Sequence, residues 1–91
     1  MNEDFASVKL LGNLSKSSDG KKVSTLTVNV PIKLSKLIAV MNERHGLEIA
    51  RENVLILVNG VEANALEDLD TIVGSTDQVV FIPMFHGGRI A

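Results

Sequence analysis

The chain predicts an α+β fold of ββαββ order, one mixed sheet with a single helix packed on one face. Three observations carry this reading. Two strand-like segments precede Pro31, a helical stripe follows at 34–45, and two more apolar segments come after it, the first ending in Asn59-Gly60.

In "FASVKLLGNL", Val8 and Leu10 share a parity. In "VSTLTVNV", Leu26, Val28 and Val30 alternate with Thr25, Thr27 and Asn29. The Ser-rich stretch between them contains Asp19-Gly20 and joins them most simply as an antiparallel hairpin. Pro31 marks the end of the second strand. Leu34, Leu37, Ile38 and Met41 then fall at i, i+3, i+4 and i+7, the spacing of one buried helical face. Gly46 suits the left-handed position that closes this helix, with Arg44 and His45 in the last turn against the negative end of its dipole. Ser35 is a candidate N-cap, at the expense of leaving Leu34 outside the helix.

"LEIAREN" reads as a connector with a short turn. "VLILVNGVEAN" reads as a strand, an Asn-Gly hairpin turn and a short return strand. In "ALEDLDTIVG", Leu66, Leu69 and Ile72 recur every third residue, which predicts a brief helical turn packed under the sheet. "DQVVFIPMF" is the closing strand, and Pro83 predicts that pairing on one side stops there. The domain should span 1–83, followed by a flexible tail at 84–91 that holds Gly87-Gly88 and three further residues.

The composition excludes several function classes. Of 91 residues, 45% are hydrophobic and 22% charged, a globular balance that fits one small domain. A net charge of −2 and three aromatics, all Phe, provide neither a basic field nor stacking surfaces for nucleic acid. With no cysteine there is no disulfide, no thiolate nucleophile and no Cys-ligated zinc, and the chain cannot itself carry a thioester. The acidic opening "MNEDFASVKLL" lacks the pattern of a secretory signal, and no apolar run approaches the roughly 20 residues of a membrane span. A cytoplasmic location is the expectation, with no membrane partner.

A small ββαββ domain with Asn-Gly after its third strand, the "LEDLDTIVG" turn and a last strand "VVFIPMFHGG" resembles the ubiquitin-like β-grasp family. The likeness is nearest to the branch of ubiquitin-related modifiers, small archaeal-type modifiers and sulfur carriers. Its specific motif is confined to "IPMFHGG". The resemblance implies that Gly88, once C-terminal, is the residue adenylated by an E1-like enzyme and covalently attached, with Phe85, His86 and Gly87 recognised in the tail. The protein is then the carried group and not an enzyme. The resemblance implies that it binds no cofactor, that ATP is used by the activating partner, and that an E2-like enzyme and target proteins are the candidate later partners in the relay. The two uses implied are conjugation to lysines of target proteins and delivery of sulfur as a C-terminal thiocarboxylate to tRNA thiolation or to molybdopterin or thiamin biosynthesis. A third reading is a plain interaction module with incidental glycines.

Glycine at these positions also has a physical reason. A terminus that must enter an enclosed site is helped by lacking Cβ atoms, because glycine permits close backbone approach. While Arg89, Ile90 and Ala91 remain attached, the Gly88 carbonyl is an amide, with no carboxylate to activate. The stub then acts as a lock. Hydrolysis at Gly88-Arg89, by a zinc metalloprotease of the kind that removes ubiquitin-like tags, would release it. The alternative is that the three residues are a remnant of expression.

"VLILV" and "VVFIPMF" are apolar at both parities, whereas a sheet with one helix over it needs apolar residues on one face only. If Val54, Ile56, Val58, Val79 and Phe81 face the helix, then Leu55, Leu57, Val80 and Ile82 point outward as a candidate partner-binding face. A homodimer interface is the blander reading of the same surface.

Other signals are discounted. "SSDGKK" lacks phosphate-loop spacing, and His45 and His86 are explained by a helix end and a tail, so no metal site is expected. Glu67, Asp68 and Asp70 read as a surface turn. The lysines at 9, 16, 21, 22, 33 and 36 include no preferred site for chain formation.

Overall fold

The computed structural model describes residues 4–15 and 25–84. Among them the order is β1 (Phe5–Leu10), β2 (Thr25–Asn29), β3 (Ile32–Lys33), α1 (Leu34–His45), β4 (Val54–Val58), β5 (Val61–Glu62), β6 (Ile72–Val73) and β7 (Gln78–Pro83), with short 3-10 turns between. Five strands form one mixed sheet in the order β2-β1-β7-β4-β5, in which only β1 and β7 run parallel. The helix covers one face. This is an α+β, ubiquitin-like arrangement.

The sequence alternation becomes the two faces of this sheet. Ala6, Val8 and Leu10 of β1, Val54, Ile56 and Val58 of β4, and Val79 and Phe81 of β7 are buried on the helix side. Leu34, Leu37 and Met41 are the fully buried stripe of α1, and Ile38 packs half-buried against the same core. Phe81 is the largest fully buried side chain among the described residues, and its truncation to alanine would cost about 3–5 kcal/mol.

The ends of α1 are set differently from each other. Gly46 adopts the left-handed conformation (φ 64°, ψ 30°) that an L side chain resists, as the sequence led us to expect. Asn42 then bonds both main-chain groups of Ile49 at 3.0 Å, folding the connector back along the helix. At the start, Ser35 does not cap. Lys33 holds the N-cap position in extended conformation, because β3 pairs with β6 through Lys33 and Ile72. The first helical N–H, that of Leu34, donates to the Thr71 carbonyl at 3.0 Å, so a neighbouring strand end does the work of a cap.

That small β3-β6 sheet also corrects the three-residue spacing read in "ALEDLDTIVG". Leu66 is 44% exposed and Ile72 is 55% exposed, while Leu69 is half-buried. The segment is two 3-10 turns, Ala63–Ala65 and Asp68–Asp70, running into a strand, and its buried residues are Ala63, Thr71 and Val73. Strand alternation puts Val73 inside and Ile72 out.

Two main-chain bonds define how β7 is held. Asn59 N–H donates to the Gln78 carbonyl at 2.8 Å and Met84 N–H donates to the Asn53 carbonyl at 3.0 Å. By antiparallel alternation, Gln78, Val80, Ile82 and Met84 therefore turn their main chain toward β4, and Val79, Phe81 and Pro83 turn theirs toward β1. The donor that Pro83 lacks is one that would have served β1. Pairing with β1 ends at Phe81, with Leu11 N–H on the Phe81 carbonyl at 3.1 Å, while pairing with β4 continues to Pro83. The chain leaving β1 passes over the proline ring. A Cβ on Gly12 (φ +60°) would lie 2.9 Å from Pro83 Cγ.

Gly12→Ala should therefore lower unfolding free energy by about 1–3 kcal/mol through left-handed strain and the contact with Pro83. Denaturant unfolding checks this, and an unchanged midpoint would contradict it.

Candidate functional site

The side of the sheet away from α1 is where the four residues singled out from the sequence come together. Leu57 lies opposite Val80 and Leu55 opposite Ile82 in the β4-β7 register, and all four side chains are half-buried. Lys9 sits beside Val80 from β1, and Glu62 sits beside Leu57 from β5. The row across the sheet thus reads cation, two apolar side chains, anion. Leu11 and Met84, 39% and 44% exposed, add apolar surface toward the end of β7. These four aliphatic side chains form a continuous, partly exposed apolar strip on the helix-free face.

A polar clamp holds one end of the β4-β7 pair, and an ion pair lies beside the other. At one end, Asn59 (φ 54°) and Gly60 (φ 83°) make the left-handed hairpin turn that Asn-Gly favours. Asn59 Oδ1 accepts from Gln78 N–H at 2.9 Å, and Asn59 Nδ2 donates to Asp77 Oδ1 at 2.8 Å. Asp77 Oδ2 accepts from Gly74 N–H at 2.7 Å. These bonds favour the charged form, so the Asp77 carboxyl is held below its ordinary value, first by the Gly74 N–H and then by the Asn59 amide.

At the other end, where the chain departs toward the tail, Arg51 grips Asp68 with two nitrogens. Nε lies 3.0 and 3.1 Å from the carboxylate oxygens and Nη2 lies 2.9 Å from Oδ2. The hydrogen bond and the charge of Asp68 raise the Arg51 pKa above its ordinary value. This pair borders a cavity of about 210 Å³ whose apolar walls include Val54, Leu55, Ala63 and Met84, with Glu62 at its rim. The cavity adjoins the outer face through Leu55, and Met84, the last described residue, lines it.

The sequence brought out the apolar face but neither the clamp nor the ion pair. Arg51 and Asp68 are 17 residues apart, and Asn59 and Asp77 are 18 apart, with no local pattern to link them. Phe85, His86, Gly87, Gly88 and Arg89 lie outside the described residues. Among the described residues no cluster of His, Asp or Glu could hold a metal ion, and no helix is long and apolar enough to cross a membrane.

Comparison with known proteins places this arrangement. A model of the ThiS family matches residues 8–88, nearly the whole chain. The chain belongs to the ThiS family. The match runs through the sheet and closes at Gly88, so the last three residues fall beyond it. No curated protein matches the sequence significantly.

Among solved structures, the small archaeal modifier protein 1 from Methanosarcina acetivorans superposes with a TM-score of 0.72 at 20% identity, covering 97% of this chain and 100% of that one. Urm1 from Trypanosoma brucei gives 0.68 at 22% identity, covering 97% and 99%. A chain from the complex of subunits 1 and 2 of the molybdopterin-converting factor of Helicobacter pylori gives 0.63 at 19% identity, covering 92% and 99%. At these identities the likeness establishes a shared fold.

The Asp77 clamp makes a pH-dependent contribution of known sign. With a folded-state value below the unfolded one, its stabilisation is complete above the ordinary 3.8 and fades as pH falls through the lower folded-state value. Asp77→Asn should lower the melting temperature at pH 7, and the gap to the parent protein should narrow in acid. A gap that widens on acidification would contradict this assignment.

Proposed function

We propose that this ThiS-family chain is a ubiquitin-like protein modifier precursor. The observation that carries the reading is the placement of Gly87-Gly88, four residues after the central strand, with the family match closing at Gly88 and three residues beyond it. The fold likeness to the archaeal modifier and to Urm1 supports it.

In this reading a protease hydrolyses the Gly88-Arg89 amide and frees the carboxylate. An E1-like enzyme then directs a carboxylate oxygen onto the α-phosphorus of ATP, and pyrophosphate leaves. An enzyme thiolate attacks the acyl-adenylate carbonyl and AMP leaves. A target lysine amine finally displaces that thiolate, forming an isopeptide bond and releasing a proton. All reacting groups except the glycine carboxylate belong to partners; no catalytic step falls to this chain.

Its contribution is positioning. Fully extended, the residues from Met84 to Gly88 span at most about 14 Å, so an enzyme that grips the outer sheet face has the tail terminus within a short, bounded radius. Leu55, Leu57, Val80 and Ile82 supply the grip, Lys9 and Glu62 set its orientation, and glycines let the last residues enter a narrow channel. Near-attack geometry of this kind is sensitive: a misplacement of about 1 Å can cost roughly 100-fold in rate.

The second reading is a sulfur carrier, favoured by membership of the ThiS family and by the likeness to a chain of the molybdopterin-converting factor complex. Sulfide attacking the same acyl-adenylate would displace AMP and give a Gly88 thiocarboxylate directly. A persulfide donor would displace AMP to give an acyl disulfide, which a second thiol then cleaves to the thiocarboxylate while itself ending in a disulfide with the donor.

Mass spectrometry of the chain ending at Gly88, incubated with its activating enzyme, ATP, a sulfur donor and cell extract, separates the two. Modification predicts target lysines carrying the C-terminal residues of this chain in isopeptide linkage, a His86-Gly87-Gly88 remnant after cleavage at Phe85. Carriage predicts exchange of one C-terminal oxygen for sulfur without conjugates, and no ATP-dependent change at all would end both readings. In the same assay Leu57→Ala and Ile82→Ala should slow activation at least tenfold, while each lowers stability by only about 1 kcal/mol because the side chains are half-exposed.

A further inference from the structure

The last rung of the β4-β7 pair is closed by a side chain. Asn59 N–H donates to the Gln78 carbonyl at 2.8 Å. The return bond, which a regular antiparallel pair makes to the opposing main-chain carbonyl, runs instead from Gln78 N–H to Asn59 Oδ1 at 2.9 Å. The other half of that amide, Nδ2, donates to Asp77 Oδ1 at 2.8 Å. Both ends of one amide are therefore tied to the start of β7.

Asn59 is also the only asparagine of the chain that precedes a glycine. With no Cβ on the following residue, the Gly60 nitrogen meets least steric resistance in approaching the side-chain carbon before it. Asn59 and Gly60 are both exposed, and a Cβ on Gly60 would meet nothing within 4 Å, so water reaches the turn freely.

We propose that Asn59 is a site of spontaneous deamidation, that its bonds to Gln78 and Asp77 hold the reaction in check, and that conversion unfastens this end of the β4-β7 pair. The Gly60 nitrogen attacks Asn59 Cγ and gives up its proton while Nδ2 leaves as ammonia, closing a succinimide. Water then opens the ring at one of its two carbonyls, giving aspartate or isoaspartate. One water is taken up and one ammonia released, and no electrons are exchanged.

In the folded chain Cγ turns toward Gly60 only by breaking both amide bonds, one of them to a carboxylate that the Gly74 N–H helps to keep charged. Either product removes the Nδ2 donor and adds a negative charge to the turn beside Asp77, where like charges repel. Isoaspartate also lengthens the backbone of the two-residue turn that joins Val58 to its partner Val61. The clamp then cannot re-form, so the change runs one way. This chemistry is confined to the turn and independent of the tail.

The full 91-residue chain is incubated in mildly alkaline buffer, native or in denaturant, and the Asn59 peptide is followed by mass spectrometry with separation of the isoaspartate form. Conversion should be at least about tenfold slower in the native chain than in denaturant. Asp77→Ala, shown folded by its amide spectrum, should speed native conversion at least about tenfold, the weight of one hydrogen bond to a charged group. Gly12→Ala, which destabilises the fold away from the turn, should speed it far less. Asn59→Asp should lower the melting temperature at pH 7, and adding Asp77→Asn should restore most of the loss, because the exchange again sets an amide against a carboxylate. Any of four results overturns the proposal. These are equal rates in native and denatured chains, no acceleration by Asp77→Ala, equal acceleration by Gly12→Ala, or a deamidated chain that melts with the parent.

Discussion

The whole architecture depends on β7 lying between β1 and β4, hydrogen-bonded on both sides and apolar on both faces. A central strand has no free edge, so the end of β7 is placed by the sheet and not by a loop. The helix presses on Val79 and Phe81, and the opposite face offers Val80 and Ile82. Those four consecutive residues couple core stability to an outward-facing surface. Pro83 then ends one set of bonds while the other continues, which releases the chain from β1 before it leaves β4. The region where a tail would be presented is thus assembled from the last pairs of one strand.

Much of this was legible because it rests on local periodicity. Alternation in "VLILV" and "VVFI" separated inward from outward side chains, and the helical stripe and Gly46 matched α1 and its end. Asn59-Gly60 announced its turn. What the sequence hid depends on long-range pairing. The spacing of Leu66, Leu69 and Ile72 imitates a helix, yet β3 recruits Ile72 and Val73 as a strand and reverses which of them is buried. The helix start is completed by the Thr71 carbonyl, 37 positions along the chain, and no capping motif near residue 34 could reveal it. The Arg51–Asp68 and Asn59–Asp77 pairs join segments that only folding brings together. The glycine pair was visible as a motif but lies outside the described residues, so its reading rests on sequence and family.

In the reading proposed, the chain is a passenger whose reactive carboxylate exists only after the Gly88-Arg89 bond is cut. ATP–pyrophosphate exchange with the activating enzyme measures this directly, comparing the full chain, the chain ending at Gly88, and the latter with Gly88→Val. Exchange confined to the unsubstituted chain ending at Gly88 is the predicted result. Exchange by the uncut chain, or undiminished exchange by the valine variant, would contradict it.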